Sequence, residues 1–115
     1  MKRVTLCLCV MALLGCASRT LPEAKLTKAE GTISAAAAVG AGRNARASEH
    51  LELAKKEIEE AKTLARDGKT REARIVLQGA QADAELGLMI VRAAKARKEA
   101  KEAVDSEGQL SSRLP

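Results

Sequence analysis

Three residues in this sequence have chemistry beyond packing: Cys16, His50 and Asp83. Cys16 stands in "MALLGCASRT" at the point where an apolar run stops, and its sulfur is the one good nucleophile in the region after that run. His50 is the only histidine. Catalysis by it would need a positioned partner in a cleft, and it lies among Glu49 and Glu52 on the first turn of a helix, so it is read as a solvated surface group. A metal site of one histidine and scattered carboxylates is a poor donor set, and no metal or other cofactor is expected. Asp83 is flanked one turn away by Gly79 and Gly87, on a helix expected to face neighbours on both sides. A carboxylate there needs a hydrogen-bond partner or costs several kcal/mol. Its expected role is a structural polar contact that fixes helix register, with a lysine of the second helix or a hydroxyl of the first. A binding-site carboxylate is the alternative. No glycine-rich phosphate loop, Ser/His/Asp set or carboxylate pair can be assembled, so the chain is not expected to be an enzyme.

What precedes Cys16 sets its chemistry. Lys2 and Arg3 carry positive charge, and residues 4–14 are apolar without a polar stripe at helical period. That is the n-region and h-region of a secretory signal; the run covers only about half of a roughly 30 Å hydrocarbon core. Leu13-Leu14-Gly15-Cys16 resembles the lipobox of bacterial lipoproteins, with Leu14 a less usual choice at its position. The resemblance implies removal of residues 1–15, a diacylglyceryl thioether on Cys16 and acylation, as by palmitate, of the new amine. An ordinary cut after Ala17 is the rival. Cys7 and Cys9 would leave with the signal, so no free thiol would remain to mispair in an oxidising periplasm. One acyl chain anchors marginally, whereas three would hold durably. In such lipoproteins the residue after the cysteine biases sorting. Ala17 is not the aspartate that favours inner-membrane retention, which implies an outer-membrane anchor facing the periplasm.

Composition narrows the rest. The chain contains no Phe, Trp or Tyr. It therefore has nothing to stack on nucleobases, no aromatic cage and no large anchor for a small-molecule pocket. The formal charge is +5, and loss of Lys2 and Arg3 leaves +3. Basic and acidic residues alternate as on a salt-bridge-laced helical surface, and nucleic acid is not an expected partner.

The elements that must position these residues are all helical. Thr20-Leu21-Pro22-Glu23 has the form of a capping box. Leu26, Ala29, Ile33, Ala36 and Gly40 then make one apolar stripe, predicting a helix over about 22–39. Ala47, Leu51, Ala54, Ile58, Ala61 and Ala65 make the narrow seam of a second helix, about 44–66, begun between Asn44 and Ser48 and ended at Asp67-Gly68. A third helix, about 70–104, carries two seams. One is Ala73, Leu77, Ala80, Ala84, Gly87, Val91 and Ala94. The other is Ile75, Gly79, Ala82, Leu86, Met89, Ala93, Ala96, Ala100 and Ala103. With the seams adjacent and the face of Arg74, Gln78, Gln81, Glu85, Arg92 and Lys95 polar, this helix should lie against the other two.

The expected fold is all-α: an alanine-rich antiparallel helical hairpin with a shorter N-terminal helix packed on it. The predicted domains are a signal at 1–15, a lipidated anchor and tether at 16–21, a three-helix domain at 22–104 and a disordered tail at 105–115. Because the hairpin turns at Gly68, residues 95–104 project past its end. Lys95, Arg97, Lys98 and Lys101 there form either a solvated face or a surface for another envelope protein. A homo-oligomer through residues 92–104 is the same surface used by a second copy.

From Ala47 on, the pattern of Leu51 with Ala54, Asp67-Gly68-Lys69 leading to Ala73, and Asp83-Ala84 with Leu86 resembles a family of small bacterial envelope lipoproteins of unknown function. These share an alanine-rich helical hairpin, and some continue into a peptidoglycan-binding domain, which is not expected here. Ser48 stands where the family tends to have proline. The resemblance implies a structural or adaptor role on a lipid anchor. A cell-wall spacer of the murein-lipoprotein type is the alternative. That protein attaches through a terminal lysine, whereas this sequence closes in Arg113-Leu114-Pro115, so covalent attachment is not expected.

Overall fold

The computed structural model describes residues 20–113, and these form α1 (Glu23–Ala38), a 3-10 turn (Ala41–Arg43), α2 (Ala45–Arg66) and α3 (Thr70–Ser111). The signal, Cys16 and most of the predicted tether lie outside the described residues. No strand occurs among the described residues.

Local chemistry accounts for most of the boundaries. Asn44 caps α2: its side-chain oxygen accepts the Ala47 N–H at 3.0 Å, satisfying one of the donors that a helix start leaves open. Gly68, at φ 78°, closes α2. There the Lys69 N–H reaches the Leu64 carbonyl at 2.9 Å and the Gly68 N–H that of Ala65 at 3.1 Å, the paired bonds of a glycine-ended helix. Gly40, at φ 94°, turns the chain out of α1 in the same left-handed conformation.

The predicted capping box does not form. Pro22 itself occupies the cap position, with no side-chain cap bond, and its carbonyl accepts from Lys25 and Leu26. Glu23 thereby becomes the first helical residue instead of the fourth position that a Thr20 cap requires.

α2 and α3 form the antiparallel hairpin, and α1 runs antiparallel to α2 and alongside α3. Gln81 donates to the Lys25 carbonyl at 3.1 Å, Lys28 pairs with Glu85 at 2.8 Å, and Lys62 reaches Glu30 at 3.2 Å. The hairpin with its shorter N-terminal helix is the fold expected from the sequence. The core is thin. Its buried apolar residues are alanines apart from Leu51, Ile58, Leu77 and Val91, so the helices gain stability by close approach rather than by bulk.

Two expectations for α3 are corrected. The first seam is buried from Ala73 to Val91, but the second is not: Ile75 is 63% exposed, Leu86 42% and Met89 65%. At about 100° per residue the second seam falls opposite the first, not beside it. Both neighbours share the first seam. α1 reaches it from the side of Gln81 and Glu85, part of the face expected to be solvated, and α2 from the side of Asp83. The second correction concerns residues 105–111, expected to be disordered. They continue α3 to Ser111. Pairs such as Lys95–Glu99 and Lys98–Glu102 support the exposed helix, and no proline interrupts it before Ser112.

Candidate functional site

Polar groups of the hairpin meet within the α2–α3 seam. His50 Nδ1 lies 2.8 Å from Asp83 Oδ1, with side chains only 25% and 21% exposed. An ionised carboxylate only accepts, so Nδ1 carries the proton and donates it. Asp83 makes an interhelical polar contact, to His50 of α2 and not to a lysine of α2 or a hydroxyl of α1. His50 is not a solvated surface group: it lies in the second turn of α2, in the register begun at the Asn44 cap, and its ring reaches across the seam. The spacing from Gly68 is the signal that points to it, since a turn there brings Asp83 level with the stretch around His50 and Leu53.

Two turns along α2 from His50, Glu57 faces the same seam. Its carboxylate lies against Gly79, where a Cβ would sit 3.2 Å from Oε1. Sequence reasoning assigned nothing to Glu57. The readable signal was Gly79, a glycine inside a helix opposite a long acidic side chain. Oε2 of Glu57 is buried and has no hydrogen-bond partner. Loss of hydration, and then the negative charges of Asp83 and Glu60, push the Glu57 carboxyl above its usual value of 4.5.

The arrangement distinguishes one alignment of α2 and α3 from another. An alanine seam repeats nearly unchanged every heptad and by itself resists slippage poorly. In the observed register Asp83 meets His50. Slipping by one heptad in one direction would instead set Asp83 opposite Glu57, carboxylate against carboxylate, with His50 left unpaired. Among the described residues no group of three or more His, Cys, Asp or Glu is placed to hold a metal ion.

No protein-family model, curated protein or solved structure matches this chain.

The four basic residues of the overhang do not share a face. Lys95 and Lys98 line an open notch of about 680 Å³ between the projecting end of α3 and the α1–α2 connection, opposite Gly40, Arg43 and Asn44. Each makes an ion pair along its own helix, with Glu99 at 3.8 Å and Glu102 at 3.7 Å. Arg97 and Lys101 lie further round, toward the outer face.

Glu57 gives a pH prediction with a definite sign. Below pH 4.5 the carboxyl is protonated in both folded and unfolded chains. As pH rises the unfolded chain ionises first, so the folded state binds more protons and stability falls through the window above 4.5. It levels off once the folded group ionises too. Glu57→Gln should therefore raise stability at pH 7 by roughly 1 kcal/mol and change it little at pH 4. Thermal unfolding at the two pH values checks this; a variant less stable than the parent at pH 7 would show that the carboxylate is well satisfied.

Proposed function

We propose that the chain is a lipid-anchored envelope protein, held on the periplasmic side of the outer membrane through Cys16, with a structural or protein-binding role. The observation that carries this reading is Leu13-Leu14-Gly15-Cys16 placed directly after a charged start and a short apolar run. None of the described helices is long and apolar enough to cross a membrane, so in this reading the lipid makes the attachment. The resemblance to alanine-rich hairpin lipoproteins supports the same conclusion.

A structural or adaptor role suits the form of the domain. α3 has 42 residues, about 63 Å at helical rise, and roughly half of it extends beyond the hairpin. A slender rod carrying its own exposed surface offers length and contact area to another protein. The same length favours, as the second reading, a non-covalent spacer between outer membrane and cell wall.

Fractionation of cells expressing the full chain tests the anchor. The protein should pellet with outer membranes and require detergent for release, and Cys16→Ser should shift most of it out of the membrane fraction. Equal membrane association of the two proteins would overturn the lipid reading.

A further inference from the structure

The inner and outer faces of α3 change character differently along its length. The inner face is apolar while α1 and α2 cover it, then turns to Lys95, Lys98 and Glu102 where they end. The outer face does not follow. Ile75, Ala82, Leu86, Met89, Ala93 and Val104 all fall within about 40° of one line opposite Leu77, Ala84 and Val91. Ile75, Met89 and Val104 are each more than 60% exposed. This apolar stripe persists for about 44 Å, past the point where the domain's own packing stops, and packing within the domain does not account for it.

We propose that the occupant is a second copy of this chain, its α3 laid antiparallel along the same stripe, with the twofold axis near Met89. Two observations select a second copy over an unrelated partner. The first is length: burial of the inner face ends at Val91, dividing α3 into a hairpin-supported half and a projecting half that are nearly equal. An antiparallel pair therefore lays the projecting half of each copy along the outer face of the other's supported half, leaving no length of stripe uncovered. The second is charge. In a pair with this symmetry, residues equidistant from Met89 face one another along the same edge. Arg71 then meets Glu107 of the second copy.

The size of the contact sets the expected affinity. Two helices in contact over this length bury on the order of 600 Å² per copy, at the lower limit for specific interfaces. The stripe has few large side chains. A reversible dimer in the micromolar range is expected, not an obligate one. It forms whether or not Cys16 carries lipid, so its failure would leave the proposed anchor untouched.

Cysteine cross-linking of the full chain in detergent tests both partner and direction, with linked peptides assigned by mass against the unsubstituted chain as baseline. Met89→Cys should link to position 89 of a second copy. Ile75→Cys alone should not self-link, whereas Ile75→Cys with Ala103→Cys should link 75 to 103 between copies. Sedimentation of the cysteine-unmodified chain should show dimer weakened at least tenfold by Met89→Lys. Arg71→Glu should weaken it several-fold, and adding Glu107→Arg should restore it. Self-linking at Ile75→Cys would show parallel pairing and overturn the proposal. So would a chain monomeric at hundreds of micromolar, a dimer indifferent to Met89→Lys, or links from position 89 to a different protein or to lipid.

Discussion

Replacing Leu77 by alanine should lower the stability of the domain by about 3 kcal/mol and leave much of the chain unfolded at 37 °C. Among the described residues Leu77 is the largest side chain that is wholly buried. It belongs to the cluster of Ala29, Ile58, Ala61 and Ala80 against which Leu26, Ile33 and Val76 pack, a cluster drawn from all three helices. The expected loss is large in proportion because the core is poor in bulk. A domain of this size has a total stability of roughly 5–14 kcal/mol, and an alanine interior places it toward the lower part of that range. Three of its four buried neighbours in the cluster are alanines, which have no side-chain torsion with which to close the gap. Thermal or denaturant unfolding followed by far-ultraviolet circular dichroism measures the effect. A loss below about 1 kcal/mol would mean that the three helices do not depend on this contact.

The second large effect is at Gly87. A Cβ there would stand 2.8 Å from Leu51 Cδ2 and 3.2 Å from the Ala47 carbonyl oxygen. The leucine end can swing aside, but the carbonyl belongs to the backbone of α2. Gly87→Leu must therefore push α2 and α3 apart, at a cost of about 3 kcal/mol or more after its gain in helix propensity. Gly31→Leu is the natural control: nothing lies within 4 Å of a Cβ at that position, and the propensity gain stands alone. The pair separates close approach from helix-forming tendency. Equal unfolding midpoints for the two variants would deny the tight crossing at Gly87.

Particular residues show what the sequence made legible. Asn44 as a cap, Asp67-Gly68 as a stop and the seam from Ala47 to Ala61 each rest on local chemistry, which acts over one or two turns and can be read without a neighbour. Asp83 and the close approach at Gly87 were also readable, because a carboxylate and a glycine inside an apolar helix each demand an explanation. What failed needed the third dimension. The two seams of α3 are similar in composition, and only the placement of α1 and α2 together on the first decides which one is the core. The polar partner of Asp83 depended on where one ring points across the hairpin, and composition favours lysine for that role. The capping box was lost to a single residue, since Pro22 offers a ready start of its own two positions after Thr20. The persistence of α3 to Ser111 was hidden by a polar composition that suits an exposed helix as well as a tail.

These structural results leave the fold independent of the anchor, while the proposed role depends on it. Mass analysis of the N-terminal peptide of the protein isolated from membranes tests that dependence most directly. The account predicts a peptide beginning at Cys16, carrying a diacylglyceryl group on its sulfur and an acyl chain on its amine. A peptide that begins at Met1, at Ser18 or at an unmodified Cys16 would contradict it.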